Sequence, residues 1–248
     1  MRPTISLIIP CYNESARIEL MFNGMIDFTK QWESDYEIII VDDGSDDGTN
    51  EKIKQHIHFQ YFQSQQRITL LTQENKGKGG ALKYGVQHAK NDFVLTLDAD
   101  MATMPSELLI WYAQRKIFTN KEILIGSREL KNSKVDDSLM RHVVGNIFNF
   151  IITQTLHLNI KDTQCGFKLY PKQIAKEIFA ALQIVGWSHD VELLLRANQL
   201  GYAITEMPVT WRAVEGSKIK VLRDGWNMFW ELRKIKKILK IKAQEVNI

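Results

Sequence analysis

Five short apolar runs, each closed by polar or turn-forming residues, set the rhythm of the first half of the chain. They are Ile5-Ser6-Leu7-Ile8-Ile9 stopped by Pro10, Tyr36 to Val41, Ile68 to Leu71, Phe93 to Leu97, and Glu122 to Ile125. Runs this short, rich in β-branched residues and bounded by breakers, predict buried strands. Between them the apolar spacing changes to that of helices. Ile18, Leu20, Met21, Met25 and Ile26 predict a helix opened by Asn13 or Ser15. Further helices are expected after Thr49, from Gly80 through Ala89, and over Ser106 to Phe118. Continuous apolar strands alternating with helices predict an α/β fold with a parallel or mixed, doubly wound sheet.

The second half is less regular. Helices are expected over Met140 to His157, Pro171 to Leu182 and Val191 to Leu200, with Gly201 as the C-cap of the last. Phe167 to Tyr170 and Ala203 to Val209 read as strands, and helices close the chain from about Ser217. The 248 residues suit one large domain with an appendage, divided as 1–215 and a basic helical tail over 216–248. Hydrophobic content of 44% supplies a full core. Cys11 and Cys165 offer neither a disulfide framework nor a CxxC site, so both are expected to be reduced, in a cytosolic setting. No signal-peptide pattern and no run of membrane-spanning length is present, so a soluble or peripheral protein is expected.

The polar residues that end the strands carry the chemistry. Asp98-Ala99-Asp100 closes the run Phe93 to Leu97. Two carboxylates one residue apart at the carboxyl edge of a sheet lie where open α/β folds bind ligands. They offer hard oxygen ligands to Mg²⁺ or Mn²⁺, which commonly bridge to a substrate diphosphate. Three further loops end neighbouring strands: Pro10-Cys11-Tyr12-Asn13-Glu14, Asp42-Asp43-Gly44-Ser45, and Asn75-Lys76-Gly77-Lys78-Gly79-Gly80. Tyr12 can stack on a base, and carboxylates can accept from a base N–H or a ribose hydroxyl. The glycine loop precedes a helix, where backbone N–H groups favour anions. It lacks the spacing of a Walker loop. The six histidines show no metal-ligand spacing, and His189 beside Asp190 is read as non-catalytic.

These pieces resemble the inverting glycosyltransferase family 2, of fold type GT-A, a Rossmann-like nucleotide-diphospho-sugar transferase fold. Within it they are similar to the dolichyl-phosphate glucosyltransferases and their mannosyltransferase relatives. The resemblance extends through Gly126-Ser127-Arg128, Asp162-Thr163-Gln164-Cys165-Gly166-Phe167-Lys168, Trp187-Ser188-His189-Asp190-Val191-Glu192 and Pro208-Val209-Thr210-Trp211 to Gly216-Ser217-Lys218. It implies a nucleotide-sugar pocket lined by Pro10, Tyr12, Glu14, Asp42, Asp43, Lys78, Gly79, Asp98 and Ala99. It implies metal ligation by Asp98 and Asp100, and an acceptor-phosphate site at Arg128 and Arg141 with Ser217 and Lys218. Where the mannosyl branch has an amide two residues after the second aspartate, this chain has Ala102, which matches the glucosyl branch.

The resemblance thus implies transfer of a hexose, glucose from UDP-glucose being favoured, to a polyprenyl or dolichyl phosphate. Such a phosphate has a second pKa of about 6 and is largely dianionic at neutral pH, so it needs cationic positioning rather than a base. A hydroxyl acceptor would instead need a carboxylate base, for which Asp190 and Glu192 are candidates with Asp162 behind them. GDP-mannose is the alternative donor. A nucleotidyltransferase would want a Gly-rich, Arg-containing loop after the first strand, which Pro10 to Glu14 is not. A non-catalytic nucleotide-sugar-binding protein is opposed by intact Asp98, Asp100 and Arg128.

Charge is uneven. Lys218 to Lys242 holds nine Lys or Arg against Asp224 and Glu231, a net of +7 in a chain whose total is +3. Met228, Leu232, Ile235 and Leu239 share a helical face, and Trp226, Phe229 and Trp230 add large rings. A basic amphipathic helix with tryptophans predicts a membrane-interface anchor, or else packing on its own domain or a second subunit. The expected setting is peripheral, on the cytoplasmic face of a membrane. No nucleic-acid-binding motif is present.

Overall fold

The computed structural model describes residues 2–115, 118–136, 158–214 and 230–239. Strands β1 (Ile5–Cys11), β2 (Tyr36–Asp42), β3 (Ile68–Thr72), β4 (Phe93–Thr96) and β5 (Glu122–Ser127) arise from the five apolar runs. They alternate with helices α1 (Ile18–Thr29), α2 (Thr49–Gln55), α3 (Ile57–Ser64), α4 (Lys78–His88) and α5 (Glu107–Arg115). After β6 (Lys134–Asp136) come β7 (Lys168–Pro171), α6 (Lys172–Ala180), α7 (His189–Gln199), β8 (Ala203–Pro208) and β9 (Thr210–Arg212).

Seven strands form one sheet in the order β3-β2-β1-β4-β7-β5-β8, and β6 pairs with β9 in a small second sheet. The pairs β3·β2, β2·β1, β1·β4 and β5·β8 are parallel, while β7 runs antiparallel between β4 and β5. The expected mixed, mostly parallel sheet is therefore observed. Alternating side chains of the central strands feed opposite faces. Leu7, Ile9, Ile38, Ile40 and Leu95 pack with Phe22, Phe28 and Trp111 on one side. Ile8, Ile39, Val41 and Val94 pack with Leu82, Ile178 and Leu194 on the other. A sheet buried on both faces accounts for strands that read as unbroken apolar runs.

Beyond shifts of a few residues at element ends, two differences from expectation have a visible cause. Helix α1 begins at Ile18, not at Asn13 or Ser15, because those two residues tie their loop to the next one. The Asn13 N–H donates to Ser45 Oγ, the Asp46 N–H to Asn13 Oδ1, and the Ser15 N–H to Asp47 Oδ2. The helix after Thr49 is two helices, broken at His56, whose Nδ1 accepts from the His58 N–H at the start of α3.

The described part of the tail packs on the domain. Residues 230–239 are helical, and Leu232, Ile235 and Leu239 are buried in the same cluster as Val191, Leu194 and Ile178. Of the readings open for this apolar stripe, membrane or protein, its described part takes the second and covers the domain's own core. The expected helix over Met140 to His157, Arg141, Ser217, Lys218 and the rest of the tail lie outside the described residues. Among the described residues, no helix is long and apolar enough to cross a membrane.

Candidate active site

The parallel strands bring their carboxyl ends to one edge, so Tyr12, Asp42, Asp43 and the Asp98-Ala99-Asp100 turn stand side by side. That turn is tightly held. The Met101 N–H donates to the Asp98 carbonyl (3.1 Å) and the Ala102 N–H to Asp100 Oδ1 (3.0 Å). Met101 adopts φ +55°, a left-handed conformation costly for a side chain with a Cβ, and it sits directly after the second aspartate. Asn13, after Tyr12, shares the feature at φ +54°.

Asp42 and Asp43 are both buried, and they organise loops rather than stand free. Asp42 accepts from the Ser45 N–H (3.1 Å) and Asn50 Nδ2 (2.8 Å). Asp43 accepts from Gln73 Nε2 (2.6 Å), the Lys76 N–H (2.9 Å) and the Gly77 N–H (2.8 Å). Gly77 takes φ +81° to make that bend. The Gly79 N–H donates to the Val185 carbonyl (2.9 Å). The expected phosphate cradle is thus altered: the amides of Lys76, Gly77 and Gly79 are already used within the protein. What the loop presents is the side chain of Lys78, whose Nζ lies 2.5 Å from Asp98 Oδ1. Tyr12 is exposed at the end of β1, and Glu14 pairs with Arg17. Pro10 lies in β1 opposite Val41, and Ala99 is buried between the two aspartates.

Arg128 follows β5 on the far side of β7. Its Nε and Nη2 donate to Asp162 Oδ2 (2.7 Å) and Oδ1 (2.9 Å), and its backbone N–H donates to Oδ2 (2.9 Å). Asp162 also accepts from the Gln164 and Cys165 N–H groups. Burial opposes the charge of Asp162, but Arg128 outweighs it and lowers the carboxyl below its usual range. The Arg128 guanidinium also lies over the Trp211 ring at 5.7 Å. Asp162 is therefore the residue that orients Arg128. The expectation that it serves as base or sugar contact gives way to this role, because its oxygens are consumed by five N–H donors.

The segment after Asp162 closes on Asp98. Thr96 Oγ1 donates to the Gly166 carbonyl (2.9 Å) and the Gly126 N–H to the Phe167 carbonyl (2.8 Å). Gly166 then lies so close to Asp98 that a Cβ there would stand 2.7 Å from the carboxyl carbon. Beneath it, Lys168 is fully buried; its Nζ donates to the Cys165 carbonyl and to Asp190 Oδ1 (2.7 Å). Burial opposes the charge of Asp190, but His189, Lys168 and Lys78 outweigh it and hold the carboxyl at about 2. Burial lowers His189 itself below the ordinary histidine value. Glu192 is fully buried and accepts from Arg196 and from the Gln183 and Ile184 N–H groups. Neither Asp190 nor Glu192 is placed as an available base.

Sequence reasoning assigned no role to Gly166, Lys168 or Gln73. The signal for the first two lay in the Asp162 to Lys168 segment, where a glycine and a lysine follow an aspartate within six residues.

The Asp98/Asp100 pair passes a chemical test as a cation site. Burial, and then the charge of Asp98, push the Asp100 carboxyl above the usual range. A divalent ion would relieve that repulsion, and both side chains supply hard oxygens. Among the described residues there is no cluster of three or more His, Cys, Asp or Glu suited to a metal.

The family model for glycosyl transferase family 2 matches residues 6–179, more than half of the chain. The chain belongs to glycosyltransferase family 2. It is similar to dolichyl-phosphate beta-glucosyltransferase ALG5A of Trichomonas vaginalis, 35% identical over 226 residues, 88% of this chain and 68% of the relative. It is also similar to dolichyl-phosphate beta-glucosyltransferase of Saccharomyces cerevisiae, 34% identical over 247 residues, 92% of this chain and 72% of the relative. In fold it resembles the glucosyl-3-phosphoglycerate synthase of Mycobacterium tuberculosis solved with Mn²⁺ and UDP-glucose. That match has a TM-score of 0.61 at 18% identity and covers 89% of this chain and 74% of the synthase. The fold is GT-A, and this family 2 member is a glycosyltransferase enzyme.

Proposed function

We propose that this glycosyltransferase moves glucose from UDP-glucose to the phosphate of a dolichyl or other polyprenyl phosphate, with inversion at C1, on the cytoplasmic face of a membrane. Support for the acceptor comes from the relatives' names and from one feature of the site. The three carboxylates that a hydroxyl acceptor could have used as base, Asp162, Asp190 and Glu192, are each tied to a cation. A dianionic phosphate needs no base. One of its oxygens forms the bond to C1 as the bond from C1 to the nucleoside diphosphate breaks.

The chain's own residues do the rest. Arg128, held by Asp162 and exposed on one flank, presents a guanidinium fork suited to phosphate. Lys78 beside Asp98 supplies positive charge where the donor diphosphate must lie. Burial opposes that charge, but Asp98, Asp190 and Asp100 keep its pKa above the ordinary lysine value, so it stays protonated. Tyr12, with Asp42 and Asp43 behind it, forms the nucleoside side of the edge. Asp98 and Asp100 would hold Mg²⁺ or Mn²⁺, which would neutralise charge building on the departing diphosphate.

A product assay offering UDP-glucose, GDP-mannose and UDP-GlcNAc with a short polyprenyl phosphate, with and without chelator, tests the reading. The expected product is a β-linked glucosyl phospholipid formed from UDP-glucose and lost on chelation. Preference for GDP-mannose would change the donor. Retention of configuration, or transfer to hydroxyl acceptors alone, would overturn the mechanism.

A further inference from the structure

With the apolar stripe of 230–239 spent inside the domain, the opposite stripe of that helix is the outward one. Trp230, Arg233, Lys234 and Lys237 recur at helical spacing and are exposed. The Arg233 guanidinium lies 5.2 Å from the Trp230 ring centre. The helix is pinned at this end to the loop before α7, where the Ser188 N–H donates to Glu231 Oε2 (2.9 Å) and Gly186 lies against the same carboxylate. That loop carries two more outward apolar side chains, Val185 and Trp187. Trp187 is 41% exposed and Trp230 is 47% exposed, large values for the largest amphipathic ring. The same loop reaches the reaction edge, since the Val185 carbonyl accepts from the Gly79 N–H next to Lys78.

We propose that the corner built from Val185, Trp187 and Trp230, flanked by Arg233, Lys234 and Lys237, is the surface that docks the enzyme on an anionic lipid bilayer. Exposed tryptophans and a cationic stripe on one corner match the chemistry of a headgroup boundary: rings at the interface, cations against acidic lipid. The loop's link to Lys78 places this contact next to the chemistry, where a lipid acceptor has to arrive from the bilayer. This rests on the polyprenyl-phosphate reading above, and it differs from a lipid-buried helix, because the helix keeps its apolar face in the core.

The test is flotation of the full chain with vesicles of phosphatidylcholine alone or with 30% phosphatidylserine. The wild type should bind the acidic vesicles. Trp187→Ser with Trp230→Ser should weaken that binding about tenfold or more, as interfacial binding scales with apolar area lost. Arg233→Glu with Lys234→Glu should remove the dependence on phosphatidylserine, at about fivefold or more per cation. Circular dichroism and turnover of a water-soluble, short-chain polyprenyl phosphate should stay at wild-type levels. Wild-type vesicle binding by the double tryptophan variant would overturn the proposal. So would a loss confined to self-association in sedimentation, which would mark the corner as a subunit interface. Lipid binding with these dependences but no transfer to any polyprenyl phosphate would sustain the docking surface and overturn the acceptor instead.

Discussion

Replacing Gly166 by alanine forces a collision with Asp98. The new Cβ would stand 2.7 Å from the carboxyl carbon and from Oδ1, and closer still to Oδ2. Ordinary contact begins near 3.4 Å, so something must give by about 0.7 Å or more in a close-packed interior. The loop cannot give easily, since Thr96 Oγ1, the Gly126 N–H and the buried Lys168 Nζ donate to its carbonyls. Asp98 can, because its side chain is about a third exposed. The displacement therefore falls on the residue assigned to the donor and its metal. A misplacement approaching 1 Å can cost about a hundredfold in rate, or roughly 2.7 kcal/mol. Steady-state assays should show kcat/KM for UDP-glucose reduced about tenfold to a hundredfold, with a weaker response to Mn²⁺. Thermal unfolding should shift little. A double-mutant cycle makes the inference specific: in an Asp98→Ala background the Gly166→Ala change should cost almost nothing more. Full activity of Gly166→Ala, or additive losses in the cycle, would refute the idea that Gly166 acts by seating Asp98.

Other expectations follow from the same contacts. Asp100→Ala should abolish metal-stimulated turnover while the melting midpoint holds, and a rate equal to wild type would remove the metal role. Arg128→Lys keeps the charge but loses the two-pronged grip on Asp162. The acceptor KM should rise about tenfold to a hundredfold, since each charged hydrogen bond carries about 1.5–3 kcal/mol. Lys168→Met strips the partner from a buried carboxylate and should cost about 3–5 kcal/mol in urea unfolding. Acid titration should complement it. The Asp190 carboxyl is lowered in the folded state from 3.8 to about 2, so its stabilisation is present above 3.8 and is lost as pH falls toward 2. That contribution is about 2 kcal/mol, and Lys168→Met should reduce it without removing it, since His189 and Lys78 also hold the carboxyl down.

What was legible in the sequence was what local pattern encodes. The apolar runs announced β1 to β5, since a strand buried on both faces has no polar positions to interrupt it. The aspartates were legible too, as charges at the ends of such runs. What local pattern could not show was who pairs with whom. The start of α1 was misplaced because Asn13 and Ser15, sound helix caps in isolation, spend their backbone and side-chain groups on Ser45, Asp46 and Asp47. The amides of the glycine loop looked available for phosphate, yet Asp43 and Val185 claim them from distant parts of the chain. The stripe of Leu232, Ile235 and Leu239 specified a covered helix face, but no periodicity states whether lipid or protein covers it.

The antiparallel insertion of β7 is the long-range feature that gives the site its electrostatic form. It sets Lys168 opposite Thr96, two residues before Asp98, and draws the Asp162 to Phe167 segment across to Arg128. Charges then alternate through the interior: Asp98 against Lys78, Lys78 felt by Asp190, and Asp190 against Lys168. A parallel branch pairs Asp162 with Arg128, on which Asp98 also acts. Alternation lets several ionised groups sit out of bulk water, because each has an opposite neighbour to offset its lost hydration. It also leaves a clear division at the surface. The buried members, Asp162, Lys168 and Asp190, are committed to holding geometry, while Lys78, Asp98 and Arg128 each keep a solvent-facing flank. Two cations and a carboxylate turned toward one edge suit the approach of two anionic substrates better than any acid–base pair would. On that arrangement the proposed phosphate acceptor agrees with the way the carboxylates are already spent.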